Sequence, residues 1–146
     1  MDLIDILKKI EQKEGFQSGH AQDEEQIMFF ESELNVKFPN SYKMIFKRYG
    51  YMAWDEGEIY GASTDVYYNL LEKNKFARQQ KLPENFLVLP IDAFVFDKYS
   101  GGGYYMLFSA DSPRAGQVGL FLSESGYHEE QTWESLEAFL EDYYCS

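Results

Sequence analysis

Few residues of this sequence have the types and spacing that catalysis or metal binding would need. The two histidines, His20 and His128, are far apart, and neither belongs to an H-x-H or H-E-x-x-H pattern. His128 is followed by Glu129 and Glu130, which could approach a cation, but neighbouring side chains of a strand point to opposite faces. The one cysteine, Cys145, lies beside the C-terminal residue, where a catalytic base is hard to hold. We therefore expect no metal ion, no cofactor and no catalytic residue.

Motifs that bind phosphate or activate a serine nucleophile are absent from the sequence. It contains no G-x-S-x-G, no Walker loop and no strand–GxGxxG–helix unit. Residues 101–103 are three glycines and predict a turn, because no Lys-Ser/Thr pair follows them. With 25 Asp and Glu residues, two neighbouring carboxylates do not by themselves indicate a glycosidase. Residues 54–56 beside Tyr60 could form a sugar platform, but we interpret residues 55–57 as a turn and Trp54 as partly buried.

The charge is strongly negative and unevenly distributed. The formal net charge is −12, of which residues 1–50 contribute −2 and residues 51–146 contribute −10. Such a field opposes binding to nucleic acid or anionic membranes and favours basic partners, although acidity also keeps a protein soluble. No secretory leader and no membrane-spanning apolar run is evident, and one cysteine cannot form an internal disulfide. We expect a cytoplasmic protein.

Three amphipathic helices are predicted in the first fifty residues, because apolar side chains recur there at helical spacing. The first spans residues 2–14. The second begins at Asp23, which with Gln26 forms a capping box. The third begins at Pro39 and ends before Gly50, with possible caps from Asn40 and Ser41. The expected inward side chains are Leu3, Ile6, Leu7, Ile10, Ile27, Phe30, Leu34, Tyr42, Ile45, Phe46 and Tyr49.

After residue 50 the pattern changes to short segments separated by turn residues. We predict a helix over 64–81, ended by Pro83, and a closing helix that Thr132 caps. The predicted strands cover residues 58–61, 86–89, 94–96, 104–109, 117–123 and 127–131, and a bulge is expected at Pro90. The apolar run 86–89 suits a strand that is covered on both faces. The closing helix should bury Leu136, Phe139, Leu140 and Tyr143.

The order of these elements predicts an α+β fold. Helices come first, then a run of strands, then one helix, which is typical of this class. We expect N-terminal helices, a central, mainly antiparallel β-sheet and a C-terminal helix packed on it. No repeat, low-complexity tract or linker divides the chain, so residues 1–146 should form a single domain.

The second and third helices carry a further pattern. Glu31-x-x-Leu34, Phe38-Pro39-x-x-Tyr42 and Tyr49-Gly50 resemble the opening signature of the SUKH superfamily, E-x-x-L-G-x-x-L-P-x-x-[YF]. Asn35 stands where that family usually has glycine, and asparagine tolerates the left-handed conformation better than most residues. Pro83-x-x-Phe86, the glycine turn and the segment 132–140 follow in the family's order. The resemblance covers roughly residues 23–144 and implies the same α+β fold.

The resemblance also implies a function. SUKH proteins are mostly bacterial immunity proteins that neutralise toxins, often nucleases, by tight binding, and related domains occur in a fungal regulator of cell-wall glucan synthesis. It therefore implies a non-catalytic immunity protein with a cognate toxin as partner. An acidic, aromatic surface would suit a basic nuclease. A protein-interaction scaffold of the fungal type is the alternative, and a carboxylate-dependent hydrolase is a more distant one. The oligomeric state stays open.

The expected partner-binding residues lie in loops and at strand ends of the acidic part of the chain. Packing constrains such positions least, and they most often carry recognition. Tyrosine and tryptophan supply the amphipathic area that interfaces favour. The candidates are Trp54, Asp55, Glu56, Glu58, Tyr60, Asp97, Tyr104, Asp111, Glu129 and Glu130.

Overall fold

The computed structural model describes residues 1–145 and confirms the α+β prediction. Five helices occur in these residues: α1 (Leu3–Glu11), α2 (Glu24–Leu34), α3 (Asn40–Tyr49), α4 (Leu70–Gln79) and α5 (Leu136–Tyr144). The strands are β1 (Gln17–Ser18), β2 (Met52–Trp54), β3 (Gly57–Ile59), β4 (Ala93–Tyr99), β5 (Gly103–Phe108), β6 (Val118–Leu122) and β7 (Gly126–Trp133). Every pair of neighbouring strands is antiparallel.

The starts and ends of the first helices follow from local side-chain chemistry. Asp23 accepts a hydrogen bond from the Gln26 N–H at 2.9 Å, which confirms the predicted cap of α2. Asn35 ends that helix in the left-handed conformation with φ of 55°, where glycine is the usual residue. The capping role expected for Asn40 and Ser41 is wrong, because no side chain caps α3. The Ser41 hydroxyl instead donates to Glu137 of α5 at 2.5 Å and so ties the two helices together.

The strands form two sheets that meet side by side. One has the order β1-β2-β3 and the other β4-β5-β6-β7. The Tyr60 N–H, just after β3, donates to the Phe96 carbonyl of β4 at 2.8 Å and connects them. The register of β4 shifts between Val95 and Asp97, so the bulge expected at Pro90 lies at Phe96 instead.

A hydrophobic core packs on each face of the four-stranded sheet β4-β5-β6-β7. The larger one joins α1, α2, α3 and α5 to the sheet, and its rings are in close contact: the centroids of Phe38 and Phe94 are 5.4 Å apart, and those of Tyr105 and Phe139 are 4.6 Å apart. The smaller one lies between α4 and the opposite face, with Ala77 and Met106 among its members. The expected inward residues of α1 and α3 are buried, whereas in α2 Ile27 and Phe30 are buried and Leu34 is only partly buried.

Two expectations about the C-terminal region are wrong. Thr132 lies within β7, and Ser135 caps α5 by accepting the Ala138 N–H at 3.0 Å. Tyr143 is 44% exposed, whereas Tyr144, whose ring packs against that of Trp54, is buried. Leu136, Phe139 and Leu140 are buried as expected.

The run 86–89 is not a strand, which is the largest departure from the sequence-based prediction. Residues 86–88 are exposed, and only Leu89 is buried. The Arg78 guanidinium donates to the carbonyls of Leu89, Pro90 and Ala93 at 3.2, 3.1 and 2.6 Å and so fixes the end of the run and the link to β4. Within the run, the Leu87 carbonyl accepts the Tyr127 N–H of β7 at 2.9 Å.

The helix predicted over 64–81 is shorter than expected. It begins only at Leu70, because Asn69 caps it by accepting the Glu72 N–H at 3.0 Å. The predicted strand 58–61 begins one residue earlier, at Gly57, and ends at Ile59. Strands β1 and β2 were not predicted, since two- and three-residue strands leave no readable alternation.

Candidate protein-binding surface

The β2–β3 hairpin sorts its side chains onto two faces. Ala53 pairs with Glu58 across the hairpin, so these residues share one face, together with Tyr51 and Tyr60 two positions further along each strand. Trp54 lies on the other face, where its ring is 4.8 Å from that of Tyr144 in the larger core. One face of this hairpin therefore belongs to the core. On the other face Ala53 and Tyr60 are also buried, and Tyr51 and Glu58 are partly exposed.

The second face forms an aromatic surface with neighbouring elements. Tyr51 and Tyr68 stack nearly parallel, with centroids 5.0 Å apart and an interplanar angle of 8°. The Lys73 ammonium of α4 lies 4.9 Å from the centroid of Tyr67 and 5.4 Å from that of Tyr60. The ring of Tyr60 lies 6.4 Å from that of Tyr104 of β5. We call this surface the tyrosine face: Tyr51, Glu58, Tyr67, Tyr68, Lys73 and Tyr104.

Glu58 is the carboxylate of the tyrosine face. Partial burial raises the pKa of Glu58, while the positive charges of Lys73 and Lys98 oppose that rise. The pKa of Tyr68 is raised, first by burial and then by the negative charge of Glu58. The carboxylate, two lysines and several phenolic hydroxyls thus act on one another within a partly dehydrated patch.

Three of the predicted partner-binding residues are buried. Trp54 is 6% exposed, Tyr60 1% and Asp97 not at all. Within residues 1–145 the Trp54 indole N–H and the Tyr60 hydroxyl have no hydrogen-bond partner. These three residues support the surface from beneath and present almost no area to a partner.

Asp97 is a buried carboxylate with specific partners. It accepts hydrogen bonds from the Tyr144 hydroxyl at 2.5 Å and from the Lys98 N–H at 2.7 Å. Burial nevertheless raises its pKa well above the ordinary value, and the bond from Tyr144 only partly offsets this effect. Asp97 therefore joins β4 to α5 at the bulge.

The remaining predicted residues fall into separate places. Asp55 and Glu56 are exposed at the tip of the hairpin that carries Glu58. Glu129 and Glu130 are exposed on β7, which is separated from β3 by three strands and thus by roughly 19 Å at the usual strand spacing. Asp111 lines a cleft beside the α2–α3 link. The structure unites Glu58, Tyr60 and Tyr104 with the hairpin tip and separates Asp111, Glu129 and Glu130 from them.

One arrangement on β7 resembles a hydrolase triad. The Ser125 hydroxyl lies 2.7 Å from Nε2 of His128, whose Nδ1 lies 3.2 Å from the Glu130 carboxylate. In serine hydrolases the acid is buried and fixes the imidazole. Here the side chains of His128 and Glu130 are 26% and 71% exposed, so water competes for both contacts. We interpret the set as a surface hydrogen-bond chain around a turn.

Sequence reasoning missed Tyr51, Tyr67, Tyr68 and Lys73 as members of the surface. The signal that could have placed Tyr51 there is its two-residue spacing from Ala53, once the turn at residues 55–56 makes β2 and β3 a hairpin. The positions of Tyr67 and Tyr68 depend on how the segment before α4 folds over the sheet, and the position of Lys73 depends on how α4 itself packs. No local sequence pattern encodes either.

Neither a metal cluster nor a membrane-spanning helix is found in residues 1–145. Within this range no three His, Cys, Asp or Glu side chains are grouped so that they could hold a metal ion. No helix there combines the length and apolar character that a bilayer crossing requires.

The fold defines a class of protein: α+β domains in which helices pack against an antiparallel sheet. The chain belongs to the SMI1-KNR4 cell-wall family, whose model SUKH_5 matches residues 2–145. This match confirms the SUKH resemblance. A crystal structure of a protein from Pseudomonas syringae pv. tomato is similar, with a TM-score of 0.72, 16% sequence identity and 96% of each chain covered. At that identity the likeness concerns the fold alone. No curated protein sequence matches the chain significantly.

Proposed function

We propose that this protein is a non-catalytic immunity protein that binds and neutralises a cognate bacterial toxin, with a basic nuclease as the target. The observation that carries the proposal is the tyrosine face, where aromatic rings and a carboxylate are accessible on a chain with net charge −12. The contact surface would comprise the tyrosine face and the hairpin tip, Asp55 and Glu56. Family membership supports a binding role of this kind.

The composition of the surface suits protein recognition. Tyr67 is 65% exposed, and Tyr51, Tyr68 and Tyr104 are partly exposed. Tyrosine offers a large amphipathic area and loses little conformational entropy on binding, because it has only two side-chain torsions. Fully buried anchors of this type dominate binding energy in most interfaces.

The charge suits an enzyme that acts on nucleic acid. Such enzymes carry positive active sites, and the −10 of residues 51–146 would attract them and accelerate association. A carboxylate-rich surface held against that site would also occupy the place of the phosphates. Neutralisation then needs tight binding and no chemistry by the immunity protein itself.

The test is binding to the toxin domain encoded beside this chain, with two charge-matched variants. Glu56→Lys/Glu58→Lys reverses two charges on the proposed surface, and Glu129→Lys/Glu130→Lys reverses two charges at the far edge of the sheet. We expect the first variant to weaken binding at least tenfold and to lose protection of cells against the toxin, while the second stays close to wild type. Thermal melts of both variants control for folding. Equal effects of the two variants would refute the assignment of this surface.

The family description favours a second candidate, a regulatory scaffold of the cell-wall type. Such a domain would bind its partner without abolishing the partner's activity. The two functions separate in one measurement: nuclease activity of the neighbouring gene product with and without equimolar protein. Full inhibition supports immunity, whereas tight binding without inhibition, or the lack of any toxin gene beside this one, supports the scaffold.

A further inference from the structure

A cleft of about 500 Å³ opens next to the tyrosine face and shares Tyr51 with it. It lies between the segment before α2 and the loop 62–69. Ligand-binding clefts are typically of this size. Its lining combines an aromatic wall with polar side chains and includes Gln22, Gln26, Phe30, Tyr51, Asp65 and Asn69.

Backbone hydrogen bonds hold the walls of this cleft in place. The Gly19 N–H donates to the Tyr51 carbonyl at 3.1 Å, and the Ala62 N–H donates to the Gly50 carbonyl at 3.1 Å. Gly61 lies so close to the backbone of Gly50 that an added Cβ would be 1.7 Å from the Gly50 carbonyl oxygen. Only glycine therefore fits at position 61. The cleft is therefore pre-formed, which lowers the entropic cost of filling it.

Tyrosines of the tyrosine face, next to the cleft, already bind a cation within the folded chain. Lys73 places its ammonium over the rings of Tyr67 and Tyr60. Tyr51, in the cleft wall, is held flat against Tyr68. A cation that enters the cleft can therefore stack only on the face of Tyr51 that Tyr68 leaves open.

Asp65 supplies the negative charge of the cleft. Its Oδ1 accepts the Tyr67 N–H at 2.9 Å, which fixes the carboxylate, and its own N–H donates to the Ser63 hydroxyl at 3.1 Å. Gln22 and Gln26 add carboxamide oxygens that can accept further hydrogen bonds. A fixed carboxylate, two amide acceptors and a flat ring match a planar cation with several N–H donors.

We propose that this cleft binds the guanidinium group of an arginine side chain of the protein partner. The proposal rests on the proposed function, since it names the group of the basic partner that anchors beside the tyrosine face. Guanidinium stacks on aromatic rings and bonds carboxylates through paired N–H groups, whereas a lysine ammonium does neither as well. An anion is disfavoured by Asp65, and a second copy of this chain by the net charge of −12.

The experiment is a titration of the ¹⁵N-labelled protein with N-acetyl-arginine amide, followed by nuclear magnetic resonance. The side-chain amides of Gln22, Gln26 and Asn69 serve as reporters inside the cleft. N-acetyl-citrulline amide, which has the same shape without the charge, is the matched control ligand. Asp65→Asn removes the carboxylate charge isosterically, and Glu84→Gln makes the same change in an exposed loop.

We expect saturable shifts of the cleft reporters with the arginine amide and at least tenfold weaker binding of the citrulline amide. Asp65→Asn should weaken arginine binding at least tenfold, and Glu84→Gln less than twofold. Equal binding of both amides, equally tight binding of N-acetyl-lysine amide in a parallel titration, or no shift with the arginine amide would overturn the proposal. Such a result together with toxin binding that still depends on Glu56 and Glu58 would leave the proposed function standing, so the two failures are distinguishable.

Discussion

The substitution Asp97→Asn tests whether the cost of burying this carboxylate exceeds the stabilisation that its hydrogen bonds provide. The side chain is fully buried and accepts hydrogen bonds from the Tyr144 hydroxyl and from the backbone N–H groups of Lys98 and Glu58. Hydrogen bonds to a charged group contribute about 1.5–3 kcal/mol each. Removing a carboxylate from water costs several kcal/mol. The pKa of Asp97 lies well above its ordinary value because burial, together with the nearby negative charge of Glu58, outweighs these hydrogen bonds.

The contribution of Asp97 to the free energy of unfolding depends on pH. Because the pKa of Asp97 is higher in the folded than in the unfolded protein, the folded state holds its proton more tightly. Asp97 thus stabilises the fold fully below about pH 4, the unfolded pKa, and this stabilisation is lost as the pH rises through the folded pKa. The loss amounts to about 1.4 kcal/mol for each unit by which the pKa is raised.

Asparagine at position 97 keeps the shape and cannot ionise. Its carbonyl can accept the Lys98 N–H, and its NH₂ can donate to the Tyr144 hydroxyl oxygen. We expect Asp97→Asn to match wild type near pH 4 and to become the more stable protein by neutral pH. The assay is urea unfolding followed by tryptophan fluorescence across this pH range.

One outcome would refute this reasoning. If Asp97→Asn is less stable than wild type at neutral pH by a margin that shrinks on acidification, the carboxylate is ionised and its hydrogen bonds outweigh burial. Tyr144→Phe is the matched second variant, because it removes one donor and keeps the ring. It should cost about 1–3 kcal/mol and extend the pH dependence of wild type to higher pH.

Three further predictions concern packing, capping and chemistry. Phe139→Ala should cost about 3–5 kcal/mol in denaturant unfolding, because this fully buried ring lies at the centre of the larger core; a loss well below 1 kcal/mol would contradict the core assignment. Ser135→Ala should lower the free energy of unfolding by about 1 kcal/mol because it removes the cap of α5, while Thr132→Ala should change it little. A larger loss for Thr132→Ala than for Ser135→Ala would instead support Thr132 as the cap. Ser125→Ala should leave any background ester hydrolysis by the purified protein unchanged, and a loss of turnover would identify a catalytic serine.

Much of the helical part of this fold can be predicted from sequence, because local chemistry fixes it. The cap at Asp23, the left-handed residue Asn35 and the inward stripe ending at Tyr49 each depend on a few neighbouring residues. The opening signature shared with the SUKH superfamily lies in the same segment. Where a side chain could bond either its own backbone or a distant group, prediction failed, as with Ser41 and its bond to Glu137.

The sheet and the surface are harder to predict because they depend on contacts between distant residues. An apolar run such as 86–89 is typical of a buried strand, yet here residues 86–88 are exposed and form no strand. The burial of Tyr60 and Asp97 depends on which neighbour covers each face. Sequence could therefore place Glu58 and Tyr104 near a surface, but not show that Tyr60 supports that surface from below.

The last strand of the sheet has an irregular register with its neighbour. Val118 pairs with Trp133 and Leu120 with His128, so the four residues 129–132 of β7 lie opposite a single residue of β6. An outer strand with a regular backbone invites strands of other chains to add to it, and a bulge of this size breaks the ladder they would need. The exposed Glu129 and Glu130 in the bulge add charge repulsion. The edge is thereby protected against sheet extension and fibril growth, and shortening the bulge to restore pairing should produce a protein that aggregates.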